Sequence, residues 1–318
     1  MKTEKLIIDT DLGFDCDDAG ALAIANKLKN EGKIEILAVT HSVNKKIGCD
    51  AIKFINDYYG NSDILVGVAE RYALNVDRFY EEFYAKFHYA DGFPGWGEKP
   101  TFYKILNKFD LGKYENVVYR SAKEIIIGTL EKSEDKSVTA VCIGQANNIA
   151  DLLETNGELF KKKVKRVVIM CGNFNDYDYE YRLGDMYWKG EFNVLLDIHS
   201  MQRLFAERDL PIYVLDFNQG CDVLSGAPLQ NQSDNPVKTA YFVHGNGIGF
   251  NLPSWDIMAV MFASGEFSDM FSLGEKGSVT VDDNGKTTFR QGNGEHRLIY
   301  RKTEQKALAG RINELFDN

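Results

Sequence analysis

The sequence predicts an α/β protein: a doubly wound, mostly parallel sheet with helices on both faces, plus a small C-terminal hairpin and an aromatic-rich flap. Three observations predict it. Short β-branched runs recur along the chain, and they are apolar almost without interruption, as strands covered on both faces are. Segments of helical periodicity separate them, giving the alternating order of a βαβ sheet with right-handed crossovers. The 318 residues, 44% of them hydrophobic, suffice to bury one large core. There is no internal repeat or low-complexity tract, and Pro is scarce at 6 residues. Residues 1–318 therefore read as a single domain.

The strands are expected at Leu6–Ile8, Ile34–Thr40, Ile64–Val68, Val138–Ile143, Val164–Met170 and Ile212–Leu215. Helical patterns fall between them at Ala19–Leu28, Ala51–Tyr59, Ser121–Leu130, Asn148–Leu153 and Ser200–Phe205. The stretch Tyr72–Tyr119 differs, being rich in Tyr, Phe and Trp with few strand signals, and predicts a flap of helix and loop near the working edge of the sheet. Ser278–Phe289 predicts a hairpin, because Asn284-Gly285 lies between alternating β-formers. A final helix is expected over Gln305–Phe316.

Composition narrows the function. The formal charge is −10 and the isoelectric point about 5.1, so the bulk field repels phosphates and argues against nucleic acid or anionic lipid as partner. No window approaches the roughly 20 apolar residues of a membrane span. Leu6-Ile7-Ile8 is too short for a signal-peptide core, which leads to the expectation of a cytoplasmic protein. The five cysteines, Cys16, Cys49, Cys142, Cys171 and Cys221, are scattered with no CxxC pair, and read as reduced core residues.

The strongest chemical signal is Asp9-Thr10-Asp11-Leu12-Gly13-Phe14-Asp15-Cys16-Asp17-Asp18-Ala19, with five carboxylates at the C-terminal end of a buried strand. That edge is where open α/β sheets bind ligands. Like charges so close repel by several kcal/mol unless a cation or donors offset them. Helix capping by Asp17 or Asp18 accounts for one or two of the acids but not for all five. The pattern points to a hard divalent cation, Ca²⁺ or Mg²⁺, on oxygen ligands. Counted from Asp9, an EF-hand loop would need an oxygen ligand, Gly and Glu where Gly13, Phe14 and Gly20 stand. A DxDx(T/V) phosphatase would need Thr or Val at Gly13.

The same residues resemble the nucleoside hydrolases of the inosine-uridine-preferring type, whose signature DxDPGxDDAxA follows the first strand. This chain reads DTDLGFDCDDAGA, with Leu for Pro and two more residues before the acidic pair. Cys142–Ala150 is similar to the family's GPLTNIA loop, Met170-Cys171-Gly172 to its MGG, and Gly190–Asn193 with Asp197 to its AEFN and following Asp. His88–Gly92 resembles a degenerate HGxDG, and Ser254-Trp255-Asp256 takes the place of a His-Asp pair. The resemblance implies Ca²⁺-dependent hydrolysis of a ribonucleoside, or of a modified nucleoside, to free base and ribose. It implies Asp11, Asp18, Asp256 and the carbonyl of Ile143 as metal ligands, with Asp11 also deprotonating the metal-bound water. Asp17, Glu191 and Asn193 would hold the ribose hydroxyls. A homodimer or homotetramer is implied as well.

Two departures bear on the chemistry. Trp255 stands where many members carry the His that protonates the leaving base, and Asp185 where an Asn of the sugar site is expected. Indole offers a neutral N–H only, yet it stacks on a base. His244, and His88 with Asp91 in the aromatic flap, are the candidate replacement donors, and Asn44 and His41, after the second strand, are placed to reach a substrate. Gly245–Gly249 lacks the GxGxxG spacing and reads as a loop, while Lys161-Lys162-Lys163 with Lys165-Arg166 reads as a solvated helix end. The competing functions are a ribose-binding homologue without catalysis and a Mg²⁺ phosphohydrolase.

Overall fold

The structure, a computed structural model, describes residues 3–71, 103–174, 180–183, 186–233, 235–245 and 249–316, with only the backbone for 180–183 and 186–189. Its centre is a nine-stranded sheet. The strands of the first half are β1 (Glu4–Thr10), β2 (Ile34–His41), β3 (Leu65–Val68), β4 (Arg120–Ser121), β5 (Val138–Ile143) and β6 (Val164–Met170). β7 (Glu180–Leu183) and β8 (Met186–Lys189) pair as a separate hairpin. β9 (Ile212–Leu215), β10 (Phe271–Leu273) and β13 (Arg297–Arg301) complete the sheet, whose order is β10-β13-β9-β6-β5-β1-β2-β3-β4. All neighbours run parallel except β10 and β13. β11 (Gly277–Val281) and β12 (Thr287–Gln291) form the expected hairpin.

Alternation along each strand builds two cores, one per face. Leu6 and Ile8 of β1 join Val141 and Ile143 of β5 and Val168 of β6 in one. Ile7, Ala140, Cys142, Val167 and Ile169 enter the other. The helices that cover these faces are α1 (Asp17–Asn30), α2 (Lys46–Tyr58), α3 (Tyr103–Leu106), α4 (Ala122–Glu131), α5 (Asn147–Lys163), α6 (Phe192–Leu196), α7 (Ile198–Phe205), α8 (Phe217–Gly220), α9 (Pro236–Gly245), α10 (Trp255–Ser264) and α11 (Gln305–Phe316). α4 carries a full capping box, Ser121 with Glu124. Glycine lets α1 approach its neighbours: a Cβ on Gly20 would lie 2.8 Å from Ile257 Cδ1 and 2.9 Å from the Tyr241 hydroxyl. All five cysteines are free and four are buried. Among the described residues no helix is long and apolar enough to cross a membrane.

Several elements differ from expectation. α5 runs on to Lys163 across a break at Asn156 (φ −137°), so it is far longer than its first apolar turns. The basic run at its end is paired: Lys161 with Glu207, Lys163 with Asp135, and Lys165 with Glu4. α9 and α10 are additional helices. α10 is buried almost all round, so it lacks the polar face that sequence periodicity detects. β13 carries Arg at both ends and β10 has three residues, neither of which reads as a buried strand. Residues 72–102 of the flap lie outside the described residues, as do 246–248 of the glycine-rich loop. Of the Tyr177–Tyr187 segment, the β7–β8 backbone alone is described.

The sheet edge tolerates little added volume. A Cβ on Gly48 would sit 2.1, 2.3 and 2.6 Å from atoms of the buried His41 ring, whereas a Cβ on Gly128 of α4 would meet nothing within 4 Å. Gly48→Ala should therefore lower stability by about 1–3 kcal/mol through overpacking. Gly128→Ala should raise it by up to about 1 kcal/mol through helix propensity. Urea midpoints at unchanged slope measure both, and equal effects would contradict this packing.

Candidate active site

The acid cluster is assembled by two chain segments. β1 ends at Thr10, the backbone turns through Gly13 (φ 136°), and α1 begins at Asp17. Asp17 and Asp18 thus occupy the first turn of α1, where the helix dipole favours negative charge. The sequence alone allows Asp17 or Asp18 to cap its own helix. Instead Asp17 caps another: its Oδ2 accepts the backbone N–H of Trp255 (2.8 Å) and of Asp256 (2.9 Å), at the start of α10. The cap position of α1 is Cys16, which makes no side-chain cap. One oxygen each of Asp17, Asp18 and Asp256 come within 4.8 Å of one another. The Thr10 hydroxyl donates to Asp18 Oδ1. Ile143, the last residue of β5, pairs with Thr10. The next residue must be small, since a Cβ on Gly144 would lie 2.9 Å from Asp11 Cγ and from its amide nitrogen.

These carboxyls are almost wholly buried: Asp11 is 3% exposed, Asp17 2%, Asp18 1% and Asp256 5%. Burial first, and the charges of one another and of Asp15 second, push all four well above the ordinary carboxylate range. Asp9 lies beneath them. Burial raises it to about 7 against hydrogen bonds from Thr40 Oγ1 (2.6 Å) and Asn148 Nδ2 (2.8 Å). Asp11 Oδ2 is buried with no hydrogen-bond partner among the described residues. Buried carboxyl oxygens left orphaned and mutually repelling fit a hard divalent cation, and the all-oxygen donor set suits Ca²⁺ or Mg²⁺ over softer ions. Among the described residues, Asp17, Asp18 and Asp256 form an acidic group that could hold such an ion.

A second wall stands on the neighbouring strand tips. Glu191 caps α6: Oε1 accepts from Asn193 N (2.9 Å), and Oε2 from Val194 N (3.2 Å) and Gly172 N (2.9 Å). Burial raises it to about 7 in spite of these donors. The Asn193 amide donates to the Met170 carbonyl (3.1 Å). Asp216, after β9, accepts from Asn218 Nδ2 (3.1 Å) and Phe174 N (3.3 Å) through Oδ2, while its buried Oδ1 has no partner among the described residues. Burial raises it too. Trp255 lies on Gly220, donates its indole N–H to the Phe217 carbonyl (2.8 Å), and packs on the Phe217 ring at 5.3 Å.

The structure brings Asp17, Asp18 and Asp256 together, puts Asp11 within charge range of all three and Ile143 beside Thr10, and sets Glu191, Asn193 and Trp255 on the same edge. His244, in the last turn of α9, faces Asp15 at 3.4 Å. Asn44 donates to the Glu70 carbonyl (2.8 Å). His41 is sealed: its ring nitrogens contact the carbonyls of Val43 (2.7 Å) and Leu12 (3.2 Å), and burial lowers it to about 4. His88, Asp91 and Asp185 lie outside the described residues. Sequence reasoning missed Thr10, Gly144 and Asp216. Of these Asp216 carries a readable signal, an acid directly after a buried strand, the same signal that marks Asp9 and Asp11.

A doubly wound sheet with a group of buried carboxyls that could hold a metal ion at its C-terminal edge defines the class of protein. The particular family follows from comparison. Residues 6–309 match the family model described as inosine-uridine preferring nucleoside hydrolase, and the chain belongs to that family. An uncharacterised protein of Schizosaccharomyces pombe is 29% identical over 215 residues, covering 66% of this chain and 60% of the relative's length. The fold is similar to that of an inosine-uridine preferring nucleoside hydrolase from Bacillus anthracis (TM-score 0.70, 18% identity, 99% of each chain). It is also similar to a purine-preferring ribonucleoside hydrolase from Gardnerella vaginalis (0.69, 17%, 99% of each). A type III effector protein complexed with adenosine diphosphate ribose shares it as well (0.73, 14%, 100% of this chain and 94% of the other).

The raised carboxyls fix the sign of a metal and pH test. A carboxyl raised in the folded state stabilises below the ordinary range and loses that contribution as pH climbs through its raised value. The metal-free protein should therefore weaken from about pH 4 upward as these groups ionise. Ca²⁺ replaces the protons, so its stabilisation should be larger at pH 8 than at pH 5. At 100 times Kd it should reach about 2.7 kcal/mol. Thermal melts with Ca²⁺ or with EDTA measure this, and coincident melts at pH 8 would contradict a cation site.

Proposed function

We propose that the chain hydrolyses the N-glycosidic bond of a ribonucleoside, releasing base and ribose, with Ca²⁺ in the Asp11–Asp18–Asp256 cradle. The observation that carries this reading is the Asp11 oxygen, without a hydrogen-bond partner among the described residues, within a set of buried carboxyls where the end of β1 meets the first turns of α1 and α10. When bound, the cation supplies Lewis acidity toward a water and coordination for two vicinal ribose hydroxyls. Asp11 would orient the attacking water and take its proton. Asp17, held by its two α10 hydrogen bonds, keeps its other oxygen for a ribose hydroxyl. Glu191 and Asn193, locked by backbone contacts, hold the far side of the sugar and favour positive charge on the ring as the C1′–N bond breaks. Trp255, fixed through its N–H, offers a ring face to the base. His244 orients Asp15 in this scheme. Family membership suggests a homodimer or homotetramer as the assembly.

Incubation with a mixed nucleoside library plus Ca²⁺, read by mass spectrometry, should show free base and ribose accumulating with time. Asp11→Asn should lower kcat by roughly 10²–10⁴-fold, the size of a lost general base. Phosphate release, or nucleoside binding without any turnover, would replace this reading by one of its rivals. Trp255→Ala should weaken KM by roughly 1–3 kcal/mol, the worth of a base–aromatic stack. Unchanged kinetics across all bases would remove Trp255 from the base site.

A further inference from the structure

A second group of ligand atoms, of different chemistry, stands in front of α1. Asp15 and Cys16 are the last residues before that helix, and Cys16 occupies its cap position without capping it through the side chain. His244 reaches them from the last turn of α9. One Asp15 carboxylate oxygen, the Cys16 sulfur and one His244 ring nitrogen lie within 4.8 Å of one another. His244 Nε2 and Asp15 Oδ1 are 3.4 Å apart. Tetrahedral zinc, bound at about 2.0–2.2 Å by nitrogen and oxygen, sets neighbouring ligands about 3.3–3.5 Å apart, with sulfur a little further off. The three donors also differ in burial. Cys16 is fully buried, whereas the Asp15 and His244 side chains are 34% and 24% exposed. The thiol closes the floor, and the other two leave a path for an ion and a fourth position for water.

An independent observation points to the same place. Tyr241, one turn before His244 on α9, is fully buried, and its hydroxyl has no hydrogen-bond partner among the described residues. That hydroxyl stands at the first turn of α1: a Cβ on Gly20 would come within 2.9 Å of it, and the Gly20 N–H donates to the Cys16 carbonyl (3.2 Å). After burial, the charge of Cys16, ahead of those of Asp17 and Asp15, bears most on the phenol. Ser225, also near it, is engaged with Ser254 Oγ at 2.7 Å. A phenol with a proton to donate is the support that a metal-bound thiolate takes from its surroundings. We propose that Asp15, Cys16 and His244 form a second cation site, which takes Zn²⁺ or a similar borderline transition ion in preference to Ca²⁺. Thiolate and imidazole select such an ion, as the neighbouring all-oxygen group selects a hard one. On binding, the Cys16 proton leaves to solvent, and sulfur, nitrogen and oxygen each give an electron pair to the metal. Tyr241 then donates to the sulfur. The ion ties α9 to the loop that opens α1, and the site stands whatever the chain hydrolyses.

The test is a zinc titration of the full chain at saturating Ca²⁺, which keeps zinc off the oxygen ligands. Calorimetry should show one Zn²⁺ bound per chain. Cys16→Ser and His244→Gln should each raise Kd about 100-fold or more, and Tyr241→Phe about tenfold, the scale set by the loss of ligands and of their supporting contacts. Co²⁺ in place of zinc should give a thiolate-to-metal absorption band that Cys16→Ser abolishes and Asp256→Asn keeps. Melting curves check that each variant is folded, and His244→Gln, at a partly exposed side chain, decides the matter if Cys16→Ser is not. No zinc binding at saturating Ca²⁺ would overturn the inference and leave Asp15 and His244 as an ion pair. Zinc held equally by every variant, or cobalt bound without the thiolate band, overturns it too.

Discussion

The arrangement depends on a pair of hydrogen bonds across the chain. The Asp17 carboxylate accepts both leading N–H groups of α10, 238 and 239 residues further on. Those donors are orphans of a helix start and need a partner when buried. Supplying it from α1 ties the tip of the first strand to the helix that carries Asp256. Without that link the acidic loop and Asp256 belong to separate parts of the fold. With it, the buried carboxyls converge against their mutual repulsion, and the group they form could hold a metal ion.

The rest of the fold makes that convergence rigid. Both faces of the sheet are covered, so β1 and β5 cannot slide: a one-residue slip would carry Leu6 and Ile8 out of one core and Ile7 out of the other. Gly144 lets the β5 tip touch Asp11, and Gly20 lets α1 lie close to α10. The neighbouring wall is built on the same logic of satisfied helix starts, with Glu191 capping α6 and Asp197 capping α7. The acids that read as chemistry are thus also the caps that hold helices in place.

Much of this was legible in the sequence, for identifiable reasons. β1, β5 and β6 are buried on both faces, so their apolar runs are continuous and easily read. The acids of Asp9–Asp18 are adjacent in sequence, and their clustering needed no folding to see. What could not be read is long-range. Nothing local to Asp17 says that its donors lie on α10, and the helix preference of an acid points to its own helix first. α10 itself hides because burial on every side removes amphipathic periodicity. β13 hides behind its terminal arginines. Asp216 was passed over since a single acid after a strand looks like a cap until its unpartnered oxygen is seen.

Calcium titration calorimetry on the native chain and on Asp256→Asn addresses the central claim most directly. The account predicts one ion bound per native chain and loss of that heat in the variant, with the fold retained. An equal calcium isotherm for both proteins, or none for the native chain, would contradict it.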